Sequence, residues 1–438
     1  MHKLNPFRGL PNPREVWAWG MYDLANQSFQ LLINTLLFSL YIQKVVYTNN
    51  EGLPDEAGGK RAWGMLVAVS MLLVAVASPL AGAWADQRAW KRELLLATGV
   101  LCVILTFCMS FVGPGMFIFA VALYLPAAFC CGLGENFLAS FLPEISTAKT
   151  MGRVSAIGWT MSYIGALLLL IVCAVVVFGF HITQPDQWRW LFTFAALWFL
   201  IGMIPTTLFL KEKALPLPAA QRGSLISETF GRLAQTIRQA KHHRQFFRFL
   251  GVFFIYSLGT QTVIYFAGII GDGLGFQIGQ LILMSLIMAA TAGVGAFVSG
   301  KFQDRLGHRR IVMLFLVSWV IGTLSLACLK KFEGDLRFFW LVSGIIGFAL
   351  GGIGTSSRAM VGVFTPPEKS AEFFGLWGMV YKAAILGPVV FSLVTTLVSE
   401  STALFMLSGT FAVGLILMLR IDEKTPASTP LHPSKPSQ

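Results

Sequence analysis

Charge is what this sequence has least of. Asp, Glu, Lys and Arg make up 12% of its 438 residues, about half the ~25% of an ordinary soluble domain. Acidic residues are the scarcer kind, 21 against 33 basic ones, which leaves a formal net charge of +12. Cysteine is sparse as well. Cys102, Cys108, Cys130, Cys131, Cys173 and Cys328 all fall inside apolar runs, with no C-x-x-C pair. They read as small packing residues, and no ligand-like neighbours make Cys130–Cys131 a redox or metal pair. The six histidines sit in loops, the tail or at run edges, without an H-E-x-x-H motif. No G-x-x-x-x-G-K-[ST] loop occurs either. A metalloenzyme and an ATP-driven pump are therefore not expected, nor is any metal, cofactor or catalytic residue. The opening MHKLNPFRGLPNPRE is polar and proline-bearing, so no removable signal peptide is expected and the first apolar run should stay as an anchor.

Apolar residues fill the space that charge leaves. They make up 55% of the chain, and mean hydropathy is +0.68. Each bilayer crossing needs roughly 20 apolar residues. Only helices and closed barrels satisfy the backbone in lipid. The runs here are long and continuous, so helices are expected rather than ~10-residue barrel strands. Twelve spans are predicted, near 16–43, 62–85, 93–112, 115–142, 152–179, 188–210, 247–270, 277–300, 310–329, 336–364, 371–398 and 402–420. With the N-terminus inside, 24 Lys and Arg fall in inner segments, seven in outer segments and two within spans. That bias predicts cytoplasmic termini. It also accounts for the basic pI by topology and anionic lipid, without nucleic acid. The expected division is a six-helix bundle over 1–210, a cytoplasmic linker over 211–246, a second bundle over 247–420 and a disordered tail over 421–438. In the linker, Ile226, Phe230, Leu233 and Ile237 recur at helical spacing among basic residues, which predicts an amphipathic helix on the membrane face.

The two halves share a motif. The turn after the second span reads GAWADQRAWKR (82–92), and that after the eighth reads GKFQDRLGHRR (300–310). Each holds G-x-x-x-D, a turn and a basic pair, and Asp86 and Asp304 are 218 residues apart. Two such copies point to a duplication. Glycine permits close helix approach. An aspartate at a helix end can pair with the basic residues and face the positive N-terminus of a neighbouring helix. Gly82, Asp86 and Arg92, with Gly300, Asp304, Arg305, Arg309 and Arg310, are therefore expected to form a conformational latch. The plain alternative is a tight turn with topogenic positive charge.

The second copy, through Gly300, Asp304, Arg305, Gly307, Arg309 and Arg310, closely fits the signature G-x-x-x-D-[RK]-x-G-[RK]-[RK] of the major facilitator superfamily, which the chain resembles, with His308 directly after the second glycine. The first departs from it, with Gln87, Ala89 and Trp90 at signature positions. Trp19, Tyr22, Asp23, Ala25, Asn26 and Phe29 in span 1 narrow the resemblance to the vacuolar amino-acid effluxer-like family, in its bacterial branch. FLPEI followed by GRVSAIGWTMSYIG, and GGIGTSSR followed by EFFG, extend it over both halves. The resemblance implies an all-α membrane protein: twelve transmembrane helices in two pseudo-symmetric six-helix bundles, acting as a secondary transporter. Small amino acids are the substrate class it implies, and a bacterial inner membrane the location. It also implies that the first and fourth helix of each half line a central cavity.

Ionisable groups within spans are costly and usually face a cavity. Asp23, Gln27, Gln30 and Asn34 fall on one face of span 1, with Asn26 beside them. Glu135 lies at similar depth in span 4. Arg358 in span 10 and Lys382 in span 11 are the candidates to hold a substrate carboxylate, Arg by a planar fork and Lys as a point charge. Tyr163 and Trp159 in span 5, and Tyr256, Gln261, Thr262 and Tyr265 in span 7, could complete the site. A carboxyl group in an apolar cavity can cycle a proton, so Asp23 or Glu135 is expected to carry a coupling proton. The other reading is that each acid pairs with Arg358 or Lys382 as a structural ion pair. The residues favour a monomeric secondary transporter for an amino acid or short peptide. The alternatives are a permease for a larger organic anion, such as a siderophore or cell-wall fragment, and a non-transporting receptor.

Overall fold

The computed structural model describes residues 6–49, 51–179, 185–214, 243–273, 278–332 and 337–423. Most of the expected linker helix (215–242) and of the expected disordered tail (424–438) lies outside them. Among the described residues, twelve helices are long and apolar enough to cross a membrane. In chain order, spans 1 to 4 are Pro13–Val46, Glu56–Arg88, Lys91–Cys108 and Phe117–Ser140. Spans 5 to 8 are Met151–Gly179, Arg189–Phe209, Arg244–Gly273 and Ile278–Leu306. Spans 9 and 10 are His308–Lys331 and Arg337–Phe364. Span 11 is Ser370–Ala383 continued by Leu386–Leu397, and span 12 is Glu400–Met418. Exposed Met65, Leu72, Ile118, Leu208 and Leu397 leave the outer surface apolar, as lipid contact requires.

The packing repeats between halves. Span 1 packs on spans 5 and 6, and span 7 on spans 11 and 12. Span 4 packs on spans 2 and 3, and span 10 on spans 8 and 9. The halves meet where span 2 runs along span 11 and span 8 along span 5. Small residues make these seams possible. A Cβ at Gly82 would strike the backbone of Ala371, and one at Gly300 the side chain of Ala156. Span 7 begins at Arg244, three residues earlier than the sequence suggests.

A second repeat closes each half. Arg92 N–H donates to Glu212 at 3.0 Å, just beyond span 6. Glu423, just beyond span 12, accepts the backbone N–H of His308. Each glutamate thus caps the helix that follows the signature turn. In each, the other carboxylate oxygen is buried without a partner among the described residues. Burial raises both carboxyls above the usual glutamate range, against the lowering effect of the N–H bonds.

The signature turns need a left-handed residue. Gly307 takes φ 97 in the second copy, but Ala89 holds φ 53 in the first. A Cβ in that region costs roughly 1–2 kcal/mol. Ala89→Gly is therefore expected to stabilise the protein by about 1 kcal/mol, seen as a small rise in melting temperature in detergent. A fall would show that the Ala89 methyl packs usefully.

Candidate functional site

Two helices lose regularity halfway across, and both do so at the centre of the molecule. Span 1 widens into a π-helix over Ser28–Leu36. Such segments recur at functional sites because they offset side chains from the α-helical face. Span 11 breaks after Ala383, just ahead of Pro388. There the Ile385 N–H turns back to the Lys382 carbonyl at 3.2 Å. The Tyr381 carbonyl, left without its i+4 donor, accepts from Gln261 Nε2 at 3.1 Å instead. A broken helix at membrane depth is tolerated only when such freed groups find partners.

Between the halves lies a cavity of about 340 Å³. Of the fourteen residues named for the solute site, thirteen line it; Thr262 instead turns back on its own helix and donates to the Leu258 carbonyl at 2.7 Å. Span 1 contributes Asp23, Asn26, Gln27, Gln30 and Asn34, and span 4 contributes Glu135. Tyr163, Tyr256, Gln261, Arg358 and Lys382 come from spans 5, 7, 10 and 11. The polar stripe of span 1 is spread among several neighbours. Gln27 donates to Ser162 at 2.7 Å, Gln30 to Glu135 at 2.8 Å, and Asn34 accepts from Tyr124 at 2.5 Å. Tyr256 is almost fully buried, its hydroxyl 2.7 Å from Ser357 Oγ.

The charges form two cross-half pairs. Arg358 Nη1 lies 2.9 Å from the Asp23 carboxylate, and Lys382 Nζ lies 3.4 Å from Glu135. Both acids come from the first half and both bases from the second. Arg358 is the more enclosed of the two bases. It donates to the Ser155 carbonyl at 2.8 Å and to Ser155 Oγ at 3.2 Å. Its guanidinium also lies 4.7 Å from the Trp19 ring centre and 5.5 Å from that of Trp159. The Lys382–Glu135 pair is wetter: the Glu135 side chain is 33% exposed, against 15% for Asp23. Motif reading in span 5 passed over Ser155 and Ser162, which bond Arg358 and Gln27.

At the face that carries the signature turns, each aspartate crosses to the other half. Asp86 accepts the N–H groups of Ala371 at 3.1 Å and Glu372 at 2.8 Å, at the start of span 11. Asp304 accepts those of Gly152 at 2.7 Å and Arg153 at 2.9 Å, at the start of span 5. The basic residues of the turns are placed otherwise than expected. Arg92 bonds the Leu210 and Thr207 carbonyls at the end of span 6, at 2.8 and 2.6 Å. The cation beside Asp86 is its neighbour Lys91. Lys91 is fully buried, 3.9 Å from Asp86, ion-paired to Glu144 and 2.8 Å from Ser370 Oγ. Arg305 is exposed, Arg310 reaches the Leu306 carbonyl at 3.5 Å, and Arg309 and Arg310 act on Glu423. Of the two partners expected for the aspartates, the helix N-termini are the ones they meet, and the arginines of the turns lie elsewhere. Beside Asp304, the Arg153 side chain holds the Pro6 and Arg8 carbonyls at 2.5 and 2.7 Å, fastening the N-terminal segment over the seam.

A repeat escaped the motif reading, and with it Trp377 and Tyr381. W-x-M-x-Y stands at 159–163 and again at 377–381, 218 residues apart, the same offset as the two aspartates. Trp159 stacks on Tyr163 with ring centres 5.8 Å apart, and Trp377 on Tyr381 at 6.2 Å. All four residues line the cavity. Self-comparison of the sequence at that offset would have found them.

Twelve spans in two pseudo-symmetric halves, with a charged cavity between them, define a carrier of the major facilitator fold. The proton:xylose symporter XylE has the same architecture, with a TM-score of 0.72 at 14% identity over 93% of this chain and 94% of that one. The human organic anion transporter MFSD10 superposes with a TM-score of 0.71 at 18% identity, covering 93% and 99%. Within that fold, residues 63–428 match the family described as vacuole effluxer Atg22 like, and the chain belongs to it. YxiO of Bacillus subtilis (strain 168), an MFS-type transporter, is 23% identical over 93% of this chain and 95% of its own. Autophagy-related protein 22-1 of Aspergillus fumigatus is 26% identical over 66% of this chain, which spans about half of that protein's length. The protein is therefore an integral, multi-pass membrane protein of the MFS transporter type. Among the described residues, no group of three or more His, Cys, Asp or Glu is placed to hold a metal ion.

Proposed function

We propose that this chain is a secondary active transporter that moves a small polar or zwitterionic solute, an amino acid or short peptide, by alternating access coupled to protons. The observation that carries this reading is the segregated pairing in the cavity wall. The first half supplies the carboxylates Asp23 and Glu135, and the second supplies the cations Arg358 and Lys382. A zwitterion presents both partners at once. Its ammonium group can replace a cation beside Glu135, and its carboxylate can replace an anion beside Lys382. The Glu135–Lys382 pair is the longer and more exposed one, so it is the one to open. A proton on Glu135 would release Lys382 to the solute. Asp23–Arg358, shorter and stacked on two indoles, would hold the floor of the site. The cavity of about 340 Å³ is near the lower end of ligand sites, roughly 300–1,000 Å³. That favours a small solute over a siderophore or cell-wall fragment. A receptor would bind without flux, and counterflow in proteoliposomes separates the two.

Glu135→Gln should keep the fold and abolish the pH dependence of uptake, with counterflow retained. Uptake that keeps its wild-type rate and wild-type pH profile would remove Glu135 from the coupling step. The chain is further read as a monomer in a bacterial inner membrane, and the distribution of Lys and Arg supports cytoplasmic termini. A reporter that fluoresces only in the cytoplasm should light up when fused after residue 438, and stay dark when inserted between spans 1 and 2.

A further inference from the structure

The W-x-M-x-Y repeat places like residues on like helices of the two halves. Trp159 and Tyr163 stack at an interplanar angle of 30° on span 5. Trp377 and Tyr381 stack at 15° on span 11. Both pairs are half-buried and line the cavity. Each has a different brace. The Arg358 guanidinium lies over the Trp159 ring, and Phe253 of span 7 lies 5.6 Å from Trp377. Neither indole N–H has an acceptor among the described residues, and neither does the Ser257 hydroxyl on the same cavity wall. Buried donors normally have acceptors. Aromatic faces prefer flat or edge-on aromatic partners. These polar atoms are enclosed, so what the cavity wall offers a solute here is the surface of four half-buried rings, which suits a flat group.

We propose that the two Trp–Tyr ladders form an aromatic clamp, one jaw from each half, for a planar or aromatic group on the solute. The charged end of the same molecule meets Lys382 and Glu135. This inference rests on reading the cavity as the solute site, and it narrows the solute to zwitterions or carboxylates with a planar side group. A saturated ring of equal size fills the space without the face-to-face contact. Each stacked face is worth roughly two- to ten-fold in affinity.

The test is a titration of the purified full chain by thermal shift and calorimetry. The planar probes are L-phenylalanine, L-tryptophan and indole-3-acetate. Their saturated counterparts are L-cyclohexylalanine, L-leucine and cyclohexylacetate. At least one planar probe should bind ten-fold or more tightly than its counterpart. W159L and W377L should each remove that preference, and W159F and W377F, which keep a smaller ring, should keep part of it. The clamp is overturned if no planar probe binds, if saturated probes bind equally well, or if W159L and W377L leave the preference intact. Counterflow in proteoliposomes separates this from the transport reading. Leucine exchanging as fast as phenylalanine would sink the clamp and leave transport standing. Preferential phenylalanine binding without exchange of any probe would sink transport and leave the clamp.

Discussion

Arg358→Met is expected to abolish transport and to destabilise the protein by about 3–5 kcal/mol, the cost of leaving a buried partner charge uncompensated. The side chain is 6% exposed and pairs with Asp23 at 2.9 Å. It also bonds Ser155 twice and lies over Trp19. Its removal strands the Asp23 carboxylate in the floor of the cavity. Asp23→Asn in the same chain should restore most of the lost stability, because the uncompensated charge goes with it. A double-mutant cycle on melting in detergent reads the coupling directly. Transport should stay absent in the double variant. Exchanging the charges, Asp23→Arg with Arg358→Asp, should likewise recover folding but not flux. Flux recovered in either double variant would make the pair a structural tie with no part in the site.

The second large effect is expected at the signature turns. Each aspartate accepts two backbone N–H bonds from a helix start in the opposite half. Hydrogen bonds to charged groups are worth about 1.5–3 kcal/mol. Asp86→Ala together with Asp304→Ala should then shift the balance away from this closed face by at least about 10²-fold, since 1.4 kcal/mol is a factor of ten. Spin labels at Lys149 and Arg305, exposed positions on the two halves, should show a longer distance population by pulsed electron resonance. Each single variant should give an intermediate shift. Unchanged distances in the double variant would mean that Lys91, Glu144 and Ser370 hold the face closed by themselves.

Much of this architecture was legible in advance because the membrane makes polar residues expensive. A carboxylate or amide kept inside an apolar run has few places to go, so Asp23, Gln30, Glu135, Arg358 and Lys382 were identifiable as cavity residues one by one. Their partners were not. That Asp23 meets Arg358 while Glu135 meets Lys382 depends on how the two bundles are set against each other, since the partners are 335 and 247 residues apart in sequence. The π segment in span 1 was hidden as well, since no residue type marks it, whereas Pro388 does signal the break in span 11. At the signature turns the glycines and aspartates lie on the seam between the halves, whereas Arg92 bonds the end of its own half's span 6. The aspartates' partners are backbone amides, which every residue but proline carries. The same duplication that revealed Asp86 and Asp304 also holds the tryptophans, but aromatic residues in a membrane chain do not stand out as charges do.

The placement of both acids in one half and both bases in the other makes the two bundles behave like the plates of a small capacitor. In the closed arrangement the plates are discharged by contact. Separating them empty would leave two acids and two bases without their partners in a wall that still enfolds them, which is costly for groups taken partly out of water. An unloaded carrier should therefore reorient slowly, and a loaded one, with its charges compensated by solute and proton, quickly. Exchange of solute for solute should outrun net uptake, and an ion leak through the empty protein should be small.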